Sequence, residues 1–163
     1  MTPLTQSRLI FSLLLTLFII TGCLDSSSSI SFDNEDDIKF LEETAKEEGV
    51  ERTESGLLYK IIEEGEGEQP DPDSKVKVYY TGMLISGQVF DRGRSREREE
   101  APAEFSVNGV IYGFGEGLQL IGEGGKIELY IPTELGYGAF PPPYSPIYPG
   151  AALVFEVELV EVL

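Results

Sequence analysis

The sequence has no histidine, no tryptophan, a single cysteine and only 12 basic residues against 29 acidic ones. Without an imidazole, a Ser-His-Asp triad, a Cys-His dyad and a histidine metal ligand are all excluded. One cysteine rules out an intrachain disulfide, a CxxC redox pair and a thiolate zinc site. The shortage of positive charge, a formal net −17 at pH 7, argues against nucleic acid as a partner, because neutralising phosphates takes surplus Lys and Arg. Long hydrophobic runs are scarce too. The apolar stretch at residues 9–20 is shorter than the roughly 20 residues a membrane-spanning helix needs. What remains is 163 residues, 41% hydrophobic and 10% aromatic, enough for one domain with a proper core. Its chemistry has to run on shape, backbone amides, aromatic rings, hydroxyls or carboxylates.

Residues 1–22 carry one base, Arg8, and no acid. A basic start, a short apolar stretch and then small residues read as a secretory leader. The stretch runs into Ile20-Thr21-Gly22-Cys23, which places the sole cysteine at its end. This resembles the lipobox of bacterial lipoproteins, where cleavage precedes the cysteine and its thiol receives a diacylglycerol. Each buried methylene adds about 0.8 kcal/mol, so two or three acyl chains make a durable anchor where one would not. An ordinary signal peptide, or an uncleaved helix, is the alternative. Residues 23–33, with Ser26 to Ser29, are too small and polar to pack and make a flexible tether. The expected location is the bacterial cell envelope, with Leu24 rather than aspartate after the modified residue leaning toward the outer membrane, facing the periplasm. The acidic surface that follows would repel anionic headgroups.

Residues 34–49 read as a short helix. Asp33 or Asn34 is placed to cap it, acids fill its first turn, and Gly49 stands at the C′ position. Ile38, Leu41 and Ala45 make a thin apolar stripe with Phe40 beside it. From residue 50 the pattern changes to period two: Leu57, Tyr59 and Ile61, then Val76, Val78 and Tyr80, then Ile127, Leu129 and Ile131, then Leu153, Phe155, Val157 and Leu159. Residues 92–100 are almost all charged and read as a solvated loop or bulge. Leu118 and Ile121, between glycines, predict one short helix over residues 115–121. A five-proline loop fills residues 141–150. Antiparallel strands around one short helix make an α+β domain over residues 50–163. The glycines at 122, 124 and 125 before Lys126 imitate a phosphate loop but lack its first glycine and its Ser or Thr.

Five blocks in register carry a further likeness: Val-Lys-Val-Tyr-Tyr-Thr-Gly-Met-Leu at 76–84, Gly-Gln-Val-Phe-Asp at 87–91, Val-Ile-Tyr-Gly-Phe-Gly-Glu-Gly-Leu at 110–118, Gly-Gly-Lys-Ile-Glu-Leu-Tyr-Ile-Pro at 124–132 with Glu-Leu-Gly-Tyr-Gly at 134–138, and Leu-Val-Phe-Glu-Val-Glu-Leu at 153–159. In order and spacing they resemble FKBP-type peptidyl-prolyl cis-trans isomerases. The lead-in at 40–57 is similar to the linker helix of macrophage-infectivity-potentiator and periplasmic FKBP relatives. The resemblance implies an FKBP-like twisted antiparallel sheet wrapped around one short helix. It implies an isomerase that assists folding of exported proteins and uses no cofactor and no metal. Proline-containing polypeptides would be its substrates and rapamycin-type macrocycles its inhibitors. A monomer is expected, since the relatives' long dimerisation region has no room here.

By the same resemblance Tyr80, Phe90, Asp91, Tyr137 and Phe155 would form the catalytic set. Val110, Ile111, Phe114 and Ile147 would complete the substrate site. Phe114 would be the floor under the proline ring, at a position where the family usually has tryptophan. The Ile111 N–H and the Tyr137 hydroxyl would hold substrate carbonyls, and Ile147 would stand over the rim. Asp91 would orient Tyr80, with Arg94, Arg96 or Arg98 as its cationic partner. Two other readings compete: an FKBP-fold chaperone or binding module without useful catalysis, and a hydrolase with two converging carboxylates.

Overall fold

The computed structural model describes residues 34–93 and 101–163. The leader, Cys23, the tether, Asp33 and the three arginines Arg94, Arg96 and Arg98 lie outside the described residues. The chain runs α1 (Glu35–Thr44), β1 (Glu51–Arg52), β2 (Leu58–Glu63), β3 (Lys75–Leu84), β4 (Val89–Arg92), β5 (Ala103–Ser106), α2 (Tyr112–Leu118), β6 (Lys126–Ile131) and β7 (Leu153–Val162). The strands form one antiparallel sheet in the order β1-β2-β6-β7-β3-β4. β5 shares the outer edge of β3 with β4, pairing with residues 75–78 while β4 takes 81–83.

The period-two pattern becomes two faces of this sheet. Register brings Gly82, Phe155 and Leu129 into one row, and Tyr80, Val157 and Ile127 into the next. With Val78, Leu153 and Leu159 they make an inner face, which buries against Phe114 and Leu118 of α2. Side chains of this size each contribute about 1.5–3 kcal/mol when fully removed from water.

Both helices differ from their sequence expectation. α2 lies nearer the N-terminus than residues 115–121, beginning at Tyr112 and ending at Leu118. Its glycines read as breakers, each about 1 kcal/mol poorer than alanine in a helix. A Cβ on Gly113 would sit 2.6 Å from Ile131, and one on Gly117 would strike Leu129. The glycines are what let the helix lie directly on the sheet.

α1 ends at Thr44 rather than running to Gly49, which instead closes a later turn with φ of +83°. Its Asn34 side chain makes no helix cap and donates to the Pro149 carbonyl at 3.3 Å. The apolar stripe is not the buried face either. Ile38 is exposed, whereas Asp37 and Thr44 are buried. Phe40 meets Tyr130 on the outer face of the sheet, ring centroids 6.2 Å apart. Polar partners in the distant loop, rather than the thin stripe, decide how α1 docks. No helix among the described residues is long and apolar enough to cross a membrane.

Candidate active site

A hollow of about 420 Å3 opens between α2 and the end of the sheet where β3, β4 and β7 meet. Phe114 reaches it from the first turn of α2 and Phe155 from β7, and they are 3% and 4% exposed. Their rings meet edge to face at 5.0 Å. Phe90 stands edge-on to Phe155 at 5.5 Å, and Tyr80 edge-on to Phe114 at 5.6 Å. Such tilted pairs add about 0.5–1.5 kcal/mol each beyond their buried area and hold the rings in defined orientations.

Two glycines make room for this cluster. A Cβ on Gly82 would lie 2.7 Å from both Phe155 and Phe90. One on Gly93, just beyond β4, would overlap the Tyr80 ring. β4 can therefore carry Phe90 and Asp91 close beside β3.

The polar groups are few. The Tyr80 hydroxyl donates to Asp91 Oδ2 at 2.7 Å, and the Arg92 N–H donates to Asp91 Oδ1 at 2.8 Å. Burial first, then the bond to Asp91 and its negative charge, push the Tyr80 phenol far above the usual tyrosine range. Burial and the Asp91 charge also raise Tyr137. Both phenols therefore stay protonated. The Tyr137 hydroxyl has no hydrogen-bond partner among the described residues, and neither does the Ile111 N–H at the start of α2, although the Ile111 carbonyl accepts from Phe114 and Gly115.

The structure thus gathers Tyr80, Phe90, Asp91, Val110, Ile111, Phe114, Tyr137 and Phe155 around one hollow. Ile147 is not in its wall. That side chain is 6% exposed and packed into the main core, because the loop turns it inward rather than over the rim. Phe105 of β5 is a wall residue that sequence reading missed, its ring 5.7 Å from Tyr80 and 6.2 Å from Phe114. The available signal was an aromatic between two polar residues on a short strand. Asp91 is the only acid in the wall among the described residues, and none of them brings a second carboxylate to meet it there. A hollow of about 460 Å3 on the opposite face is walled instead by Arg92, Lys126, Glu128, Glu156 and Glu158 beside Tyr79. No group of three or more Cys, Asp and Glu among the described residues is placed to hold a metal ion.

Residues 66–160 match the family model described as FKBP-type peptidyl-prolyl cis-trans isomerase. This chain belongs to the FKBP-type isomerase family. Residues 30–61, with α1, match the model of the domain amino-terminal to such isomerases. The FKBP-type 22 kDa peptidyl-prolyl cis-trans isomerase of Escherichia coli is 51% identical over 131 residues, 77% of this chain and 59% of the relative. The crystal structure of FkpA from Escherichia coli superposes with a TM-score of 0.71 at 43% identity, covering 78% of this chain and 57% of that one. A peptidyl-prolyl cis-trans isomerase structure from Pseudomonas syringae gives 0.70 at 32% identity, covering 78% and 90%. The chain spans 59% of the length of the 22 kDa Escherichia coli relative and 44% of that of Escherichia coli FkpA. The α+β architecture is accordingly that of the FKBP fold.

Proposed function

We propose that this protein is a peptidyl-prolyl cis-trans isomerase for exported polypeptides, held in a bacterial cell envelope by a lipid on Cys23. The catalytic reading is carried by the ring-walled hollow with two donors, the Tyr137 hydroxyl and the Ile111 N–H, that are unengaged among the described residues. Prolyl isomerisation breaks no covalent bond. Peptide-bond rotation faces a barrier of about 18–20 kcal/mol from amide resonance. An enzyme lowers it by holding the twisted imide more tightly than either planar form. A thousandfold acceleration takes only about 4 kcal/mol.

In this reading the pyrrolidine ring rests on Phe114 and Phe155. The dry aromatic wall strips water from the imide carbonyl and disfavours its charge-separated resonance form. Ile111 and Tyr137 donate to substrate carbonyls. Asp91 orients Tyr80 and puts a negative end beside the rotating bond. No group has to take or give a proton, which suits a chain without histidine. The rate should therefore stay flat between about pH 7 and 9, because both tyrosines are raised above their ordinary value of about 10. A rate that halves or doubles across that window would contradict a mechanism without proton transfer.

The direct test is exchange spectroscopy on a Xaa-Pro peptide with the full chain in detergent. Acceleration, and its inhibition by a rapamycin-type macrocycle that fills the same hollow, are expected. Unchanged exchange with folded protein at micromolar concentration rejects the reading. The anchor rests on the sequence around Cys23, with residues 1–22 as leader and 23–33 as tether. Metabolic labelling with palmitate should mark the wild-type chain and not Cys23→Ser, and equal labelling of both would remove the anchor. We take the chain to be a monomer, which sedimentation tests.

A second reading, a polypeptide-binding module without useful catalysis, is favoured by Phe140 and Tyr144, which the proline-rich loop leaves almost wholly exposed. It expects suppression of client aggregation that survives Asp91→Ala while exchange rates stay at background.

A further inference from the structure

We propose that Asp37 on α1 is a positioning residue of the proline site, acting by clamping the return stem of the proline-rich loop. This rests on the isomerase reading. Asp37 is 3% exposed, although it lies on a helix that precedes the sheet. Its Oδ1 accepts the Ala152 N–H at 2.7 Å, and its two oxygens share the Tyr148 hydroxyl at 3.0 and 2.8 Å. Three residues before it on the chain, Asn34 donates to the Pro149 carbonyl. All of these contacts fall on residues 148–152, where the loop re-enters the sheet.

A buried carboxylate is unfavourable unless hydrogen bonds satisfy it. Charge-assisted bonds of this length are roughly twice as strong as neutral ones. The apolar contact of α1 is thin by comparison, since Ile38 is exposed and the ring contact is the tilted one of Phe40 with Tyr130. Tyr148 is pushed up to about 12 by burial first and the bond to Asp37 next, so it remains a donor at neutral pH.

The clamped stem leads into the active site from two sides. The Gly150 N–H donates to the Gly138 carbonyl at 2.9 Å, next to Tyr137 in the wall of the hollow. Ala152 passes directly into β7, which carries Phe155. A carboxylate outside the sheet therefore sets the spacing between the hydroxyl donor and one of the floor rings. Ile147, just before the stem, and Ala151 within it are buried in the core, so apolar packing also holds the loop and α1 adds the polar clamp.

The test compares kcat and KM for a Xaa-Pro peptide in the full chain, together with amide hydrogen exchange at Gly150 and Ala152. Asp37→Ala is expected to raise KM about tenfold, the scale of one charge-assisted hydrogen bond, with little change in kcat and faster exchange at both amides. Asp37→Asn still presents an oxygen to the Ala152 N–H and should recover most of the KM. Should Asp37→Ala fail to fold, Tyr148→Phe carries the same expectation at about a twofold rise. An active wild type whose KM is untouched by Asp37→Ala, or by Tyr148→Phe in that event, overturns the role of Asp37 alone. A folded but inactive wild type overturns the isomerase reading itself, and this assignment with it.

Discussion

Replacing Phe155 by alanine is expected to lower kcat/KM for a prolyl peptide at least about a hundredfold, the scale on which a mispositioned reacting group costs rate. The ring is 4% exposed and touches three others, with centroids 5.0 Å from Phe114, 5.5 Å from Phe90 and 6.1 Å from Tyr80. Its loss removes a contact from each side of the hollow at once. It also leaves a cavity that Gly82, with no side chain of its own across the register, cannot fill. Truncations of this kind cost about 3–5 kcal/mol, a large part of the 5–15 kcal/mol typical of a folded protein. Stability and rate therefore have to be measured together, by denaturant unfolding and by exchange spectroscopy under conditions where the variant remains folded. Phe155→Leu separates the two effects. It keeps much of the apolar volume and should retain most of the stability while still losing the flat floor. A Phe155→Ala protein that is less stable but isomerises normally would show that the ring is only core, and the proposed seat of the proline would be wrong.

Asp91→Ala should lower kcat/KM about tenfold or more at a modest cost in stability, since it also takes the acceptor from the Tyr80 hydroxyl. The carboxylate is exposed but accepts the half-buried Tyr80 hydroxyl at 2.7 Å. A hydrogen bond to a charged group is worth about 1.5–3 kcal/mol, and each 1.4 kcal/mol is a factor of ten in rate. Tyr80→Phe keeps the ring edge-on to Phe114 and tilted against Phe105 and removes only the hydroxyl. If Asp91 works solely by orienting Tyr80, the two variants lose equally. If its charge also acts on the rotating bond, Asp91→Ala loses more and Asp91→Asn falls between them. Asp91→Ala at full wild-type rate would take the carboxylate out of the mechanism and move weight to the binding-module reading.

The parts readable from the sequence are those set by local pattern. β3, β6 and β7 are long enough for strict alternation to declare an inner face, since a strand places successive side chains on opposite sides whatever its partners are. The chemistry that is absent was equally readable, because a chain without histidine and with one cysteine closes whole classes of mechanism wherever it folds. Residues around the hollow came from motif blocks matched in order, which is how Tyr137 could be grouped with Tyr80 despite the distance between them along the chain. Phe105 escaped because β5 follows the charged segment, and only its pairing with β3 turns that ring toward Tyr80.

Length, charge, the missing imidazole and the alternation of the strands thus came from the sequence by itself, and with them an α+β domain suited to binding rather than proton transfer. The tertiary structure alone decided that Asp37 is buried, that Ile147 is core and not rim, and that α2 starts at Tyr112. In each case the deciding partner is remote. Asp37 meets Tyr148 and Ala152, and Gly113 and Gly117 meet Ile131 and Leu129. Propensity and period are properties of neighbouring residues, whereas the cost of burying a charge or the gain of a missing Cβ depends on which surface the fold brings against it.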